Sequence, residues 1–146
     1  MLDGYHILTL THRDAPLETL SHAIAPGDNT AEALQNLKAE MGWEELLYLA
    51  TCNRVTYVFY SQNPVNQNVG TEMLEALRPD LSAVLAQKTA DKMRLLHGSE
   101  AVIHLLEVAA SMDSLVVGER EIIRQLRQAY DQSRDWKLTG DHLRLL

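Results

Sequence analysis

The first part of the chain joins a short apolar run to a segment of clear helical periodicity. Residues 5–11 are apolar and β-branched, which predicts a strand, and Pro16 suits the first turn of a helix after it. Apolar side chains then recur at helical spacing from Thr30, which we expect to be an N-cap, to Gly42. The pattern predicts a strand followed by two helices.

Two further strands are predicted by the continuous apolar runs at residues 46–50 and 55–60. The polar residues 51–54 separate these runs. The single cysteine of the chain, Cys52, therefore lies in a connection between two strands.

The second half of the chain is mostly helical in its pattern. We expect helices over residues 72–77 and 81–87 and a strand over residues 93–96. Ser99 is a suitable N-cap for an amphipathic helix that carries His104.

Gly118 interrupts the helical pattern, and the best-specified helix is expected to follow it. Glu119 and Glu121 occupy its first turn, while Arg134 and Lys137 lie near its end, so both termini match the helix dipole.

The order of the elements predicts a compact α+β domain, because strands and helices do not alternate regularly as they do in a doubly wound sheet. We expect the domain to cover residues 1–137. Residues 138–146 begin another helix, in which Leu143, Leu145 and Leu146 arrive without a cap or a partner. We therefore expect this helix to continue into further domains of a longer polypeptide.

Composition agrees with one soluble globular domain: 146 residues, of which 46% are hydrophobic and 23% charged. Thirteen Lys and Arg against 20 Asp and Glu give a net charge of −7, the wrong sign for a general nucleic-acid binder. The basic residues between Arg120 and Lys137 are either a phosphate-binding face or a solvated helix surface.

Several classes of protein and site are excluded by residue counts and spacing. One cysteine allows no internal disulfide, and neither zinc spacing nor another metal motif is present. A membrane span and a secretory signal are also missing, so we expect a cytoplasmic protein. The closest two glycines, at positions 27 and 42, are 15 residues apart, which excludes a dinucleotide-binding GxGxxG motif and a P-loop.

Cys52 is the first candidate for chemistry. The guanidinium of Arg54, two residues away, would favour the thiolate that a nucleophile requires. The alternative is a small buried hydrophobe, although the polar neighbours Thr51 and Asn53 argue against a dry core at this turn.

Polar residues on the two long helices are further candidates. His104 shares a helix face with apolar residues and should point toward the sheet, either as a general base or as a core histidine. Ser114, Glu119, Glu121 and Gln125 lie around one helix N-terminus, where they could hold a polar ligand or simply complement the dipole.

Three segments taken together resemble glutamyl-tRNA reductase. They are Thr11-His12-Arg13-Asp14-Ala15-Pro16, Thr51-Cys52-Asn53-Arg54, and the run from Gly98-Ser99-Glu100-Ala101-Val102 through His104-Leu105 to Asp113-Ser114-Leu115-Val116-Val117-Gly118-Glu119. The resemblance covers essentially the whole chain and identifies residues 1–137 as the N-terminal catalytic domain. It implies a ferredoxin-like α+β fold, a small sheet covered by helices.

The resemblance also implies an activity. The parent enzyme would be an oxidoreductase that uses NADPH to reduce glutamyl-tRNA(Glu) to glutamate-1-semialdehyde through a cysteinyl thioester, early in tetrapyrrole (porphyrin, haem) biosynthesis. By the resemblance Cys52 is the nucleophile, and His104 assists as acid or base. Substrate contacts are implied for Thr51, Asn53, Arg54, Ser114, Glu119, Arg120, Glu121 and Gln125. The NADPH-binding and dimerisation domains of a homodimeric enzyme would follow residue 146.

This chain departs from the family pattern at two points. It has Gly118-Glu119-Arg120-Glu121 where the family usually has Gly-Glu-Pro-Gln, and an ionised Glu121 cannot donate a hydrogen bond as an amide does. Ser111 stands where glycine is common. Two other functions remain open: a non-catalytic α+β module that binds tRNA or a protein, and a cysteine hydrolase that acts on another ester.

Overall fold

The computed structural model describes residues 2–109 and 116–144, and within them it omits the side chains of residues 109, 116–123 and 144. The strands are β1 (Tyr5–Thr11), β2 (Glu45–Ala50), β3 (Arg54–Tyr60) and β4 (Arg94–His97). The helices are α1 (Leu17–His22), α2 (Thr30–Met41), α3 (Val69–Leu77), α4 (Ala83–Lys92), α5 (Gly98–Ala109), α6 (Val116–Asp135) and α7 (Asp141–Arg144).

The four strands form one antiparallel sheet in the order β2-β3-β1-β4. Strands β2 and β3 are a hairpin, whereas the helical connections from β1 to β2 and from β3 to β4 each cross over one strand. This is the βαββαβ arrangement of the ferredoxin-like fold, with a pair of helices in each crossover. The expected α+β fold class is confirmed.

Helices cover both faces of the sheet. On one face, strand residues such as Leu8, Tyr57 and Phe59 pack with α1 to α4, and on the other, Ile7 and Val58 pack with α5, α6 and α7. The alternation follows the two-residue period of a strand, and it explains why these strands read as continuous apolar runs. Among the described residues, no helix combines the length and the apolar character that crossing a bilayer requires.

The predicted strands are confirmed to within one residue at each end, but several helix bounds differ from expectation. Helix α3 begins at Val69 and not at residue 72, and α4 covers Ala83–Lys92 and not residues 81–87. Three residues expected at helix starts are also placed differently. Thr30 is the first residue of α2 and its hydroxyl donates to Pro26 O at 2.7 Å, so Asn29 takes the cap position. Ser99 lies inside α5, because the chain enters that helix at Gly98 with φ of +56°. Gly118 lies inside α6, although a glycine within a helix costs about 1 kcal/mol relative to alanine.

Helix α7 is held at the Tyr5 end of the sheet, which corrects the expectation for Leu143. The buried carboxylate of Glu45 accepts hydrogen bonds from the backbone N–H groups of Gly140 (2.6 Å), His142 (3.0 Å) and Leu143 (3.0 Å). Leu143 is 4% exposed within the second core cluster, so it has both a cap and partners. Leu145 and Leu146 lie outside the described residues.

Candidate functional site

The turn between β2 and β3 presents Cys52 to solvent. Thr51 N donates to Arg54 O at 2.9 Å, and Asn53 N donates to the Thr51 hydroxyl at 3.2 Å. His12 N, just beyond the end of β1, donates to Asn53 O at 2.9 Å and ties the turn to the neighbouring strand. Cys52 is exposed at the tip of this braced turn, so the structure disagrees with a buried, structural cysteine.

A cavity of about 280 Å³ lies beside Cys52, between the end of β2 and helix α6. Its polar lining includes Thr51 and the three glutamines Gln125, Gln128 and Gln132, which α6 presents along one side. We call it the thiol cavity. Its amide groups can both donate and accept hydrogen bonds, which suits a polar ligand without a fixed charge.

A second cavity, of about 200 Å³, brings together five of the ten residues that the sequence singled out, while Cys52 lines only the thiol cavity. Five of those candidates line it: Thr51, Asn53, Arg54, His104 and Gln125. We call it the arginine cavity. Thr51 and Gln125 line both cavities, so the two cavities are neighbours. Cys52 lies in one of them, and Arg54 and His104 lie in the other.

His104 occupies the inward side of α5, as its spacing predicts. Its helix neighbours Ala101 and Val108 are buried, while His104 is half-buried with its Nε2 atom shielded from solvent. The ring also lines the arginine cavity. A general base and a core histidine are both compatible with this placement.

The sheet beneath the cavity carries a buried polar pair. Thr9 on β1 and Thr56 on β3 lie opposite each other, and their hydroxyl oxygens are 2.8 Å apart. Both side chains are at least 95% buried, and their face of the sheet is the one covered by α5 and α6. If Thr56 donates to Thr9, the Thr9 hydroxyl can donate to Val55 O at 3.5 Å, so each buried hydroxyl has an acceptor.

Sequence reasoning missed a group of residues at the same edge of the sheet. The segment after β1 contributes Thr11, His12, Arg13 and Asp14 to the arginine cavity, and the first residue of β4 contributes Arg94. Asp14 accepts hydrogen bonds from the Thr11 backbone N–H (3.2 Å) and hydroxyl (3.0 Å), which bends the chain into the cavity wall. The polar residues at these strand ends were visible in the sequence, but their proximity depends on the strand order.

Four proposed substrate contacts lie beyond what the structure describes. Ser114 lies outside the described residues, as does Ser111. The backbone of Glu119, Arg120 and Glu121 belongs to α6, but their side chains are not described. The region around the start of α6 therefore remains a prediction from sequence.

The described residues do not fit a dinucleotide. A dinucleotide site needs parallel strands and a glycine-rich strand-to-helix turn, whereas this sheet is antiparallel throughout. Within residues 2–109 and 116–144, no group of three or more His, Cys, Asp or Glu residues could hold a metal ion.

The fold and the site together define a ferredoxin-like domain with an exposed thiol beside a cationic cavity. Comparison with known families agrees: the N-terminal domain of glutamyl-tRNAGlu reductase matches residues 8–146. The chain belongs to this family.

Individual relatives give the same result. The chain is 33% identical over 137 residues to glutamyl-tRNA reductase of Syntrophus aciditrophicus (strain SB), covering 94% of this chain and 32% of the relative. It is 31% identical over 146 residues to glutamyl-tRNA reductase of Cytophaga hutchinsonii, covering 100% of this chain and 34% of the relative. The chain thus spans about a third of the length of these relatives.

The fold has a counterpart among solved structures. Glutamyl-tRNA reductase from Methanopyrus kandleri superposes with a TM-score of 0.71 at 26% sequence identity. The match covers 97% of this chain and 31% of that one. The described elements therefore correspond to one part of a larger enzyme fold.

Proposed function

We propose that this chain is the catalytic domain of a glutamyl-tRNA reductase and transfers the glutamyl group of glutamyl-tRNA(Glu) to Cys52. The observation that carries the proposal is the exposed thiol on a braced turn, in a cavity that shares Thr51 and Gln125 with the neighbouring cavity of Arg54 and His104. An aminoacyl ester at the end of a tRNA is a bulky substrate, and an exposed thiol at the tip of a turn is accessible to it.

The transfer step uses the Cys52 thiolate as the nucleophile. Its Sγ forms a bond to the acyl carbon of glutamate, and the bond between that carbon and the terminal ribose oxygen breaks. The ribose oxygen leaves with the electron pair of that bond and takes up a proton. The products are an enzyme-bound glutamyl thioester and free tRNA.

His104 and Arg54 have separate parts in this step. The His104 imidazole, half-buried in the cavity wall, supplies the proton to the leaving ribose oxygen. The Arg54 guanidinium binds the glutamate side-chain carboxylate, for which its fork of N–H donors is well shaped. Thr51, Asn53 and Gln125 add polar contacts from the cavity walls, and we assign Ser114, Glu119, Arg120 and Glu121 to the remaining substrate contacts.

Reduction of the thioester to glutamate-1-semialdehyde is the second half of the proposed activity. Because the described residues do not fit a dinucleotide, we assign NADPH to a domain outside this chain. We further propose that the full protein acts as a cytoplasmic homodimer early in tetrapyrrole biosynthesis. No metal is required by the transfer step.

The test is the rate at which the chain releases tRNA from glutamyl-tRNA(Glu), measured on acid gels beside Cys52→Ala. We expect release above background with the unmodified chain and none with Cys52→Ala. Glutaminyl-tRNA, which lacks the carboxylate, should react much more slowly. Equal release by both chains would overturn the proposal, and equal rates with simple carboxylic esters would indicate a general cysteine hydrolase.

A further inference from the structure

The arginine cavity has a charge opposite to that of the chain as a whole. The chain carries a net charge of −7, yet Arg13, Arg54 and Arg94 line this one cavity. Asp14 also lines it, and its carboxylate offsets one of these three positive charges. Such a local excess of guanidinium groups suits a ligand with more than one negative charge.

Arg54 and Arg94 approach the cavity from opposite sides. Arg94 pairs with Thr9 across β1 and β4, and Arg54 pairs with Thr11 across β1 and β3. Two strand spacings and a two-residue offset put their Cα atoms roughly 12 Å apart. Residues that lie directly opposite each other on neighbouring strands point to the same face, and so do alternate residues of one strand, such as Thr9 and Thr11. Both arginines therefore lie on the face of the sheet that carries the Thr9 and Thr56 pair and is covered by α5 and α6.

The two arginines differ in exposure and in their distance along the chain from the nucleophile. Arg54 follows Cys52 by two residues and is half-buried, whereas Arg94 is exposed on the edge strand. A glutamyl ester of tRNA carries two anions close to the reacting carbon: the side-chain carboxylate and the phosphodiester before the terminal adenosine. The carboxylate is bound by the half-buried cation near the thiol, and the phosphate, which keeps part of its hydration, belongs at the exposed rim.

We propose that Arg94 binds the phosphodiester before the 3′-terminal adenosine of the charged tRNA. This inference rests on the proposed function and adds the group that holds the nucleic-acid end of the substrate. It makes Arg94 a binding residue that sets the position of the ester relative to Cys52, while Arg54 selects the amino acid.

The test compares two substrates, glutamyl-tRNA and 2′(3′)-O-glutamyl adenosine, which has no phosphate. Formation of the Cys52 adduct is followed by intact mass for the unmodified chain, Arg94→Gln, Arg94→Lys and the control Lys88→Gln. Lys88 is exposed on α4, which packs on the opposite face of the sheet, and its substitution removes the same charge.

We expect Arg94→Gln to need about fivefold more glutamyl-tRNA for half-maximal adduct formation, with the salt dependence of tRNA binding reduced by about one unit of slope. The reaction with glutamyl adenosine should be unchanged, and Arg94→Lys should restore most of the tRNA affinity. The same values for Arg94→Gln and Lys88→Gln would overturn the inference. An equal loss with both substrates would also overturn it, because Arg94 would then contact the glutamyl group.

The failure of the proposed function has a different signature. If the unmodified chain forms no adduct with either substrate, thiol transfer is wrong. Equilibrium binding of tRNA(Glu) to Arg94→Gln and Lys88→Gln then tests the phosphate contact separately. If only Arg94→Gln weakens the dependence of tRNA affinity on salt concentration, the contact is supported, and an equal dependence in both variants excludes it.

Discussion

At the scale of single residues, the proposed function gives Arg54 two tasks: it shapes the turn that carries Cys52 and it binds the amino-acid side chain. It stands two residues after Cys52, and its backbone carbonyl accepts the hydrogen bond that closes the turn. The same residue therefore positions the turn through its backbone and lines the cavity through its side chain. The cavity lined by this side chain shares Thr51 and Gln125 with the cavity beside the thiol.

Replacing Arg54 by Lys tests the role of the guanidinium fork. The charge is kept, but the paired hydrogen bonds to a carboxylate are lost, so we expect kcat/KM for tRNA release to fall about 10- to 100-fold. Single-turnover rates at several glutamyl-tRNA concentrations would measure it. Arg127→Lys, an exposed position on α6 outside both cavities, is the matched control, and an equally small effect in both variants would argue against carboxylate binding by Arg54.

At the scale of the elements, sequence patterns predicted the strands well because both faces of the sheet are covered. Each strand is then apolar along its whole length, which gives a strong local signal, as in residues 55–60. Helix starts were less accurate, since Ser99 and Gly118 have the properties of boundaries but lie within helices whose extent is decided by packing.

The long-range contacts could not be predicted from local pattern. Glu45 reads as a polar residue before a strand, yet its carboxylate binds the start of α7, almost a hundred residues later. Arg94 likewise reads as the polar end of a short strand, and only the strand order brings it into the cavity with Arg54. The candidates Thr51, Asn53, Arg54, His104 and Gln125 were placed together by the fold, although their chemical roles remain predictions.

Glu45 gives a prediction for the pH dependence of stability. Burial raises the pKa of its carboxyl group, but hydrogen bonds from Leu143, Gly140 and His142 outweigh burial and hold the pKa below its ordinary value. A lowered folded pKa contributes stability above the unfolded pKa, near 4.3, and this contribution is lost as the pH falls through the folded value. Glu45→Gln should therefore lower the free energy of unfolding by about 2 kcal/mol at pH 7.

Urea unfolding at pH 7 and at about pH 3.5 would measure this effect, with the exposed α2 substitution Glu40→Gln as the control. The difference between the two variants should shrink at the lower pH. A difference that is absent at pH 7, or that grows as the pH falls, would rule out Glu45 as an ionised cap of α7.

The whole chain has a net charge of −7, yet three arginines line a cavity in the part that the structure describes, and the chain spans about a third of its relatives' length. Its antiparallel sheet carries an exposed thiol beside two cavities and lacks the parallel strands of a Rossmann dinucleotide site. The proposed function therefore assigns acyl transfer to this domain and reduction to another.

The 146-residue chain alone should therefore not reduce its substrate. Incubation with glutamyl-tRNA(Glu) and NADPH is expected to release tRNA and free glutamate, by hydrolysis of the thioester, without glutamate-1-semialdehyde. Trapping the aldehyde with a hydrazine reagent would detect it at low levels. Aldehyde formation that depends on NADPH would show that this chain binds the dinucleotide after all.

The central claim is that Cys52 accepts the glutamyl group, and the intact mass of the protein tests it most directly. The chain is mixed briefly with glutamyl-tRNA(Glu) without NADPH and quenched at mildly acidic pH, beside Cys52→Ala. The account predicts a mass increase of one glutamyl group on the unmodified chain and none on Cys52→Ala. No adduct on the unmodified chain, together with tRNA release no faster than background, would contradict it.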